Sequence, residues 1–414
     1  MDRVLLLMTA TSYRAGAFLD AARRLDVAVT VGSDRPQALA GMNPAGHLML
    51  DFAAPERALR DLAAFAGDSP IRAVLAADDD GAVLAALGAE ALGFPHHPPA
   101  AVRAAIDKRL TRERQREAGL PVPWFESIPL TADPEQAAAR LRYPCVIKPL
   151  ALAGSRGVMR ADNAEGAARA LRRLATLLAR PDARRADGGT PDAVLAEGYL
   201  PGRELAVEGL LTQGRFRLLA IFDKPDPLEG PFFEESIYVT PTRLALEGRR
   251  AAVEGAQATM RALGLSHGPV HAELRLDGRD AWVLEIAPRS IGGLCSRALR
   301  FGDGVTLEEL VLRHALGRDI EAFEREPEAS GVMMIPIPAR GRLEGVRGVA
   351  EARAVADVTE VRISVPTGQM IEPLPEGARY LGFIFARAGS PIRAESALRE
   401  AHRKLSFDIQ PSGD

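Results

Sequence analysis

The first hundred residues alternate apolar segments of strand length with amphipathic segments of helix length. VLLLM at 4–8, VAVTVG at 27–32 and AVLAA at 73–77 predict buried strands, and AGAFLDAARRL at 15–25 predicts a helix. Strands that alternate with helices in this way form a parallel sheet with helices on its faces. Residues 1–104 are therefore expected to form an α/β domain.

This architecture resembles half of a Rossmann fold, but the chain lacks the glycine fingerprint of dinucleotide binding. The pattern G-x-G-x-x-G would follow the first strand, where TATSYRAG stands at 9–16. A dehydrogenase is therefore disfavoured. Three aspartates, Asp78 to Asp80, follow the strand AVLAA.

The chain has 414 residues, more than one hydrophobic core normally serves, so two or three domains are expected. The Pro-rich segment GFPHHPPAA at 93–101 predicts the first boundary, with His96 and His97 in structural roles. One polar helix is expected over 101–119, and the region from 193 onward is expected to be mainly strand. The last region, about 319–414, is expected to be a separate α/β domain.

The composition argues against several classes of partner. A formal charge of −3 gives no reason to expect nucleic acid or an anionic membrane. No apolar stretch approaches the roughly 18 residues that span a bilayer, and the short apolar N-terminus predicts a strand rather than a signal peptide. Cys145 and Cys295 lack metal-ligand spacing. We therefore expect a cytoplasmic protein, for which base rates favour a homodimer.

The segment CVIKPLALAGSRGV at 145–158 is a candidate phosphate-binding element. A predicted strand ends near Lys148, and a glycine-containing loop follows from Gly154 to Gly157. Glycines allow close backbone approach, and loop N–H groups can hold phosphate oxygens beside a lysine charge. The P-loop pattern G-x-x-x-x-G-K-[ST] is absent, and an ordinary surface hairpin is an equal alternative.

The same loop also has the spacing of a hydrolase nucleophile elbow, with an alanine in place of the first glycine. That interpretation requires a helix directly after Ser155. VMRADNAEG at 158–166 predicts a continued strand and a turn instead, so a hydrolase is disfavoured.

Two strands at 270–287 are predicted to form a hairpin around DGRD at 277–280. An apolar face results if Leu276 pairs with Trp282, Leu274 with Leu284 and Ala272 with Ile286. This register places Glu273 opposite Glu285 on the other face. Facing carboxylates repel unless a cation lies between them, and Mg²⁺ or Mn²⁺ prefers oxygen ligands. A metal site is favoured over a solvated strand face.

Arg289 shares that face with Glu285 because side chains alternate along a strand. Its planar guanidinium suits a transferring phosphoryl group or a carboxylate. His271 also lies on the face of Glu273, which predicts a role beside the metal or the substrate.

These segments, in this order, resemble the ATP-grasp superfamily. The similarity is to its carboxylate–amine ligases, especially the L-amino-acid ligase (dipeptide synthetase) branch. The matching elements are Asp107-Lys108 before GLPVP, then PCVIKP, LAGSRGV, AEGYLPGRELAVEG, FDK at 222–224 and HAELRL followed by VLEIAPRSIGG. The resemblance implies an N-terminal Rossmann-like domain, a two-lobed ATP-grasp core at 105–318, divided into 105–195 and 196–318, and a C-terminal α/β domain at 319–414.

The resemblance also implies an ATP and metal site. Lys108 and Lys148 would contact the phosphates, and Gly154, Ser155 and Gly157 would belong to a loop that closes over them. Glu197 and Leu200 would meet adenine, and Glu204 the ribose. Glu273 and Glu285 would hold Mg²⁺, with Mn²⁺ as an alternative, while Ala287 stands where the family often has asparagine. Arg289, Lys148 and Glu285 would be the catalytic residues.

Substrate selection is expected to involve the segments at 229–241 and 290–297. Glu234 and Glu235 could attract an ammonium group, and Gly292 and Gly293 could donate N–H groups to a carboxylate; a solvated loop and a simple turn are the alternatives. Lys224 would approach the same site.

The function implied is that of an ADP-forming ligase, which activates a carboxylate as an acyl phosphate and joins it to an amine. Two alternatives use the same nucleotide site. One is a carboxylase-type ATP-grasp enzyme, and the other is a non-catalytic ATP sensor, which Ala287 motivates.

Overall fold

The computed structural model describes residues 1–9, 12, 14–35, 46–183, 188–278 and 280–411. Its first part forms one parallel sheet in the order β3-β2-β1-β4, so the parallel sheet predicted for the N-terminal region is confirmed. The elements are β1 (Arg3–Leu7), α1 (Ala15–Arg24), β2 (Ala28–Ser33), β3 (His47–Met49), α2 (Pro55–Asp68), β4 (Ala73–Ala76) and α3 (Asp79–Ala91). Val4 and Leu6 pack into one apolar cluster and Leu5 and Leu7 into another, because both faces of β1 are covered.

The polar helix predicted over 101–119 is two helices, so the prediction of one helix is wrong. They are α4 (Pro99–Ile106) and α5 (Lys108–Glu117). Asp107 breaks the helix with φ −87° and ψ 111°, and its carboxylate accepts hydrogen bonds from the N–H groups of Arg109 and Leu110. A short acidic side chain that caps a helix in this way competes with the continuous helical ladder. The break places Lys108 at the start of α5.

A second, antiparallel sheet follows in the order β5-β8-β6-β7. We call it the small-lobe sheet, and its two helices pack on one face of it around Ile147, Leu171 and Leu174. Its elements are β5 (Phe125–Pro129), α6 (Pro134–Ala139), β6 (Cys145–Pro149), β7 (Met159–Ala161), α7 (Ala164–Leu178) and β8 (Ala193–Gly198). Residues 184–187 of the loop predicted between the subdomains lie outside the described residues.

The remaining chain builds a large antiparallel sheet in the order β13-β12-β9-β10-β11-β14-β18-β16 and a small one in the order β17-β15-β19. The elements are β9 (Arg203–Thr212), β10 (Arg215–Asp223), β11 (Ile237–Thr240), α8 (Leu246–Leu263), β12 (Gly268–Asp277), β13 (Asp280–Ala287), α9 (Leu307–Ala315), β14 (Ala329–Ile335), β15 (Gly341–Arg347), α10 (Val349–Arg353), β16 (Val358–Ile363), β17 (Met370–Ile371), β18 (Gly382–Ala388), α11 (Pro391–Lys404) and β19 (Ser406–Gln410). Strands on both sides of the predicted boundary at 319 belong to this one large sheet. The domain limits stay a prediction.

Helix α8 is a helix that the predicted mainly-strand region did not contain. It has 18 residues and ends at Gly264, which adopts φ +80°. A glycine in this left-handed conformation is a common helix stop. Ala252, Ala256 and Met260 of α8 pack onto the large sheet. Among the described residues, no helix combines the length and the apolar character needed to cross a membrane.

The hairpin of β12 and β13 has the predicted pairing at its two carboxylates. Glu273 lies opposite Glu285, and Ala272 lies opposite Ile286. This pairing follows from the apolar alternation, which would be disrupted by a shift of one residue.

Towards the turn the predicted register is wrong. Leu274 pairs with Val283 and Leu276 with Ala281, because a β-bulge interrupts the ladder between Glu273 and Leu274. Asp277 pairs with Asp280, so two residues form the turn. The register that this turn sets differs by one residue from the register in which Glu273 faces Glu285. The bulge absorbs the extra residue. Arg279 lies outside the described residues.

His97 fixes the predicted boundary segment to the start of β12. Its Nδ1 accepts hydrogen bonds from the backbone N–H groups of Ser266 and His267, each at 3.2 Å. Its Nε2 therefore carries the proton and donates to the carbonyl of Pro269 at 3.2 Å. The other tautomer is excluded, because a proton on Nδ1 would point at these two N–H donors and find no acceptor. Burial lowers the pKa of His97 to about 4.

This pKa predicts that acid destabilises the fold through His97. Below the unfolded value of 6.5 the unfolded chain takes up a proton that the folded chain binds only near pH 4. The free energy of unfolding should therefore fall between pH 6.5 and pH 4.5, by about 2 kcal/mol from this residue alone. His97→Asn keeps a hydrogen-bond acceptor but does not titrate in this range. Measured by urea unfolding, its free energy of unfolding should therefore fall by about 2 kcal/mol less between pH 6.5 and pH 4.5 than that of the unsubstituted protein. An identical pH dependence in both proteins would contradict this assignment.

Candidate active site

Lys148 and Glu197 form a buried ion pair on the small-lobe sheet. Lys148 on β6 and Glu197 on β8 are both less than one tenth exposed, and their charged groups are in direct contact. Burial lowers the pKa of Lys148 to about 8, although Glu197 opposes the shift. Burial raises the pKa of Glu197, but Arg112 and Lys148 outweigh it and bring the pKa to about 2. With this pKa, Lys148 would lose its proton in mildly alkaline solution.

Arg112 is a central residue that the sequence analysis did not single out. It is fully buried on α5 and binds Glu197 through two nitrogens, at 2.8 Å and 3.3 Å. Its third nitrogen, Nη1, donates to the carbonyl of Val283 at 3.1 Å, and Nη2, which also binds Glu197, donates to the carbonyl of Leu284 at 3.0 Å; both carbonyls belong to β13. Since β13 is an edge strand of the large sheet, Arg112 both covers that edge and joins the two sheets.

A sequence signal for Arg112 exists, although it is weak. Gln115 lies one helical turn later, accepts from Arg112 at 2.9 Å and donates to the carbonyl of Val283 at 3.2 Å. Polar residues spaced by three on a helix share a face, but in a helix as charged as α5 that face is normally solvated.

Lys108 connects the small lobe with the predicted metal strand. Its Nζ donates to the carbonyl of Leu152 at 2.8 Å and lies 3.2 Å from Oε2 of Glu285. The structure therefore brings together Lys108 and Glu285, which the sequence placed 177 residues apart. A lysine at this position can neutralise an anion that enters between the lobes.

The glycine loop has the backbone that a mobile phosphate loop requires, but one of its N–H groups is already bonded. Gly154, Ser155 and Gly157 have φ values of +65°, +56° and +75°. A Cβ on Gly157 would lie 2.8 Å from a methyl group of Leu174, so only glycine fits there. The N–H of Gly157 donates to the carbonyl of Pro375 at 2.9 Å. This N–H group is therefore engaged by the protein rather than presented to a phosphate.

The residues predicted to meet adenine and ribose are held by arginines. The carboxylate of Glu197 faces Arg112 and Lys148, as described above. Arg275 donates to the carbonyl of Leu200 at 2.6 Å and to Glu204 at 2.9 Å. A cavity of about 520 Å³ lies beside Glu204 and Lys224. It is lined by Gly202, Arg203, Glu204, Lys224, Pro225, Asp226, Pro227, Leu228 and Arg243.

Lys224 lies among three carboxylates. Its Nζ is 2.9 Å from Glu204, 2.6 Å from Glu235 and 3.3 Å from Glu273. Burial opposes the charge of Lys224, but the three carboxylates outweigh it and raise its pKa. Burial, reinforced by repulsion from Glu273, raises the pKa of Glu235 to about 7. Tyr238 donates to Glu235 at 2.8 Å.

The predicted metal ligands are paired through their backbones but have different side-chain neighbours. Glu204, Glu235 and Glu273 each offer an oxygen within 4.8 Å of the others, while Glu285 is outside this group and contacts Lys108. An all-oxygen donor set of carboxylates suits a hard divalent cation such as Mg²⁺. By their donor chemistry Glu273 and Glu285 suit such an ion, whereas the observed group, which shares Glu273 with the predicted pair, already surrounds the ammonium of Lys224.

His271 and Glu208 link Glu273 with the loop at 290–293. His271 contacts Glu208 at 3.0 Å and Glu273 at 3.4 Å. Burial disfavours its charge, but hydrogen bonds to these carboxylates raise its pKa to about 9. Glu208 is fully buried and accepts from the N–H of Ile291 at 3.1 Å. Glu208, which the sequence analysis missed, thus positions the backbone that precedes Gly292 and Gly293.

Arg289 reaches the N-terminal domain. It donates to Asp79, at the start of α3, at 2.5 Å. Burial opposes its charge, but Asp79 and then Glu285 outweigh it and raise its pKa. Arg14 anchors the neighbouring residue by donating to Oγ of Ser290 at 2.5 Å. The aspartates after β4 and the arginine after β13 therefore meet at one junction.

Glu234 and Glu235, predicted together as an ammonium site, separate in the structure. Glu235 points into the cluster around Lys224. Glu234 is half-buried outside it; burial raises its pKa, although a hydrogen bond from the backbone of Ile337 opposes the shift.

Three family models match separate parts of the chain. Residues 19–96 match the ATP-grasp N-terminal domain, residues 141–298 the ATP-grasp domain and residues 333–410 the L-amino acid ligase C-terminal domain 2. The crystal structure of L-amino acid ligase from Bacillus licheniformis matches with a TM-score of 0.84 and 28% identity, covering 99% of both chains. These matches confirm the resemblance predicted from the motifs.

Curated relatives match over part of their length. Alanine–anticapsin ligase from Bacillus amyloliquefaciens is 26% identical over 243 residues, which are 54% of this chain and 48% of that protein. Carnosine synthase 1 from Gallus gallus is 34% identical over 227 residues, which are 53% of this chain and 24% of that protein. The chain therefore spans half or less of these two relatives.

The contacts of Arg112 predict that its loss strongly destabilises the fold. Arg112→Met removes a buried charge, leaves Glu197 paired only with Lys148, and takes a donor from the carbonyls of Val283 and Leu284, which should lower the free energy of unfolding by about 3–5 kcal/mol. Arg114→Met is the matched control, because Arg114 is half-exposed and pairs only with exposed Glu117 among the described contacts. The control should change stability by less than about 0.5 kcal/mol. Equal urea midpoints for the two variants would refute the role of Arg112.

Proposed function

We propose that this chain, which belongs to the ATP-grasp proteins, is an ADP-forming ligase that couples a carboxylate to an amine. The carboxylate is an amino acid, and the product is an amide or peptide. The observation that carries the proposal is the contact of Lys108, at the start of α5, with Glu285 on β13, which is backbone-paired with Glu273. The similarity to L-amino acid ligase over the whole chain supports the same conclusion.

The nucleotide would bind between the small-lobe sheet and the large sheet. Lys108 and Lys148 supply positive charge for its phosphates, and Gly154, Ser155 and Gly157 form the loop above them. The backbone near Glu197 and Leu200 would meet adenine, and Glu204 the ribose beside the 520 Å³ cavity. Glu273 and Glu285 would hold Mg²⁺, or Mn²⁺ in its place. Such an ion, when bound, neutralises the phosphate oxygens during transfer.

The reaction needs positioning and charge rather than an enzyme nucleophile. The substrate carboxylate attacks the terminal phosphate of ATP, which forms an acyl phosphate and releases ADP. The amine then attacks the acyl carbon and phosphate leaves. Arg289 is held by Asp79 at the junction with the N-terminal domain. Its raised pKa keeps it positively charged, which suits stabilisation of the phosphoryl group during transfer. Lys148 and Glu285 complete the proposed catalytic set.

The substrates would occupy the region between Lys224, His271 and the loop at 290–293. Glu235 rather than Glu234 is the carboxylate aimed at this region, since it contacts Lys224 and Tyr238. The N–H groups of Gly292 and Gly293 suit the binding of a carboxylate, while His271, whose two nitrogens contact Glu208 and Glu273, would position Glu273 beside it. The cytoplasmic location and the homodimer remain predictions from the sequence.

Phosphate release from Mg-ATP, measured with single amino acids and with pairs, tests the ligase function. We expect release that depends on a pair of substrates, with a product one water lighter than the two precursors by mass spectrometry. Glu285→Gln should lower this turnover by at least about a hundredfold, whereas Glu254→Gln, on the exposed side of α8, should leave it unchanged. Turnover that requires bicarbonate and no amino acid would favour a carboxylase, and ATP binding without any turnover would favour a sensor.

The lowered pKa of Lys148 predicts that ATP affinity depends on pH. Above its pKa of about 8 the free protein loses the ammonium charge beside the phosphates, so Kd should rise, by up to about tenfold per pH unit. Lys148→Arg keeps its charge throughout this range and should bind ATP with a flatter profile between pH 7 and pH 9.5. Titrations that show equal slopes for both proteins would remove Lys148 from the phosphate site.

A further inference from the structure

The glycine loop is attached to a segment of the C-terminal region that lies 215 or more residues later in the chain. The N–H of Gly157 donates to the carbonyl of Pro375, and Nε of Arg156 donates to the carbonyl of Glu376, both at 2.9 Å. Two consecutive loop residues thus bind two consecutive carbonyls. This pairing fixes both the position and the direction of the loop. We call residues 372–376 the clasp segment.

The guanidinium of Arg156 is fully engaged by the protein. Its side chain is only 6% exposed, and its other two nitrogens bind the carbonyl and the carboxylate of Asp182, at 3.0 Å and 2.7 Å. An arginine beside a phosphate loop would ordinarily be expected to contact the anion. Here every guanidinium nitrogen is used to join the loop to Asp182, after α7, and to Glu376.

Two ion pairs reinforce the contact from the outer surface of the small lobe. Arg173 on α7 binds Glu376 through both oxygens, with one distance of 2.7 Å, and Arg180 binds Glu372 at 2.9 Å. Burial raises the pKa of Glu376, but the hydrogen bond from Arg173 outweighs it and lowers the pKa. Both clasp carboxylates are therefore paired with small-lobe arginines.

Arg173 also contacts the proposed substrate segment. Its guanidinium lies 5.1 Å from the ring centre of Phe232. The backbone N–H of Arg160 on β7 donates to the carbonyl of Pro231 at 2.9 Å. Phe232 is three residues from Glu235, which contacts Lys224. Arg173 thus contacts both the clasp segment and the substrate segment, and Arg160 binds the substrate segment as well.

The clasp contact is polar and partly exposed. The small lobe and the C-terminal region have separate apolar clusters, so no described apolar cluster crosses from one to the other. Arg173 is 43% exposed and Arg180 is 36% exposed. Ion pairs of this kind are individually weak. A contact made of several weak pairs can form and break during each turnover, as a closing loop must.

We propose that the clasp segment holds loop 154–157 closed and that Arg173 and Glu376 are positioning residues for water exclusion. The proposal rests on the proposed ligase function, because an acyl phosphate must be kept from water until the amine attacks. Closure then depends on the C-terminal region as well as on the nucleotide. The loop, the clasp segment and the substrate segment close as one unit.

The first test measures coupling in the full-length protein. Phosphate released per amide formed is compared at saturating Mg-ATP for Arg173→Glu, Glu376→Arg and the double exchange. Each single variant should raise this ratio by at least about threefold, because water enters the open site, and the double exchange should restore it. Arg169→Glu is the control, since it makes the same charge change on α7 in a pair with Glu165 that is more than half exposed. Unchanged ratios in the single variants, or no recovery in the double exchange, would overturn the proposal.

A second test does not require ligase activity. Trypsin cleavage after Arg156, identified by mass spectrometry, should be about tenfold faster in Arg173→Glu than in Arg169→Glu, because local opening exposes the loop. Equal cleavage rates would overturn the clasp even if the protein is an active ligase. Faster cleavage in a protein that makes no amide would support the clasp and count against the proposed function alone.

Discussion

A single buried guanidinium determines how the two walls of the candidate site face each other. Arg112 binds Glu197 of the small-lobe sheet and the carbonyls of Val283 and Leu284 at the edge of the large sheet. Burial of an arginine is unfavourable unless its donors find acceptors, and these acceptors come from both sheets. Neither sheet can move at this point without leaving a buried charge unpaired. The residue after Leu284 is Glu285, so the same contact also positions the predicted metal strand.

The opposite side of the small lobe is held differently. There the glycine loop and α7 meet residues 372–376 through backbone hydrogen bonds and half-exposed arginine–glutamate pairs. Buried charge networks resist opening, whereas exposed pairs contribute little and exchange readily with water. The small lobe is thus fixed along one side and weakly fastened along the other. A cleft built in this way can open on one side while Lys148 and Glu197 keep their positions.

Local sequence patterns were sufficient for much of the fold. Apolar alternation identified the strands that carry Lys148, Glu273 and Glu285, and it placed the two glutamates opposite each other, because a shift of one residue would reverse the buried face. The same pattern could not show the bulge beside them. The two-residue turn sets one register for the pairs near it, and the pair Glu273–Glu285 belongs to a register that differs by one residue. The bulge lies where these two registers meet, so its position depends on both ends of the hairpin. Asp107 likewise lies within a segment whose pattern predicts one helix, although its side chain caps a second one.

The contacts between distant segments were decided by the tertiary structure. The sequence identified Lys224 and Arg289 as site residues, but only the folded chain surrounds Lys224 with Glu204, Glu235 and Glu273 and brings Arg289 to Asp79. Arg112 and Glu208 resembled ordinary solvated or strand residues, because a charge is recognised as buried only when its partners are known. The sequence by itself determined which residues form strands and loops and which faces are apolar, since these follow from periodicity and backbone preference. The partners of each buried charge depend on the packing of sheets far apart in the chain, and this packing belongs to the tertiary structure.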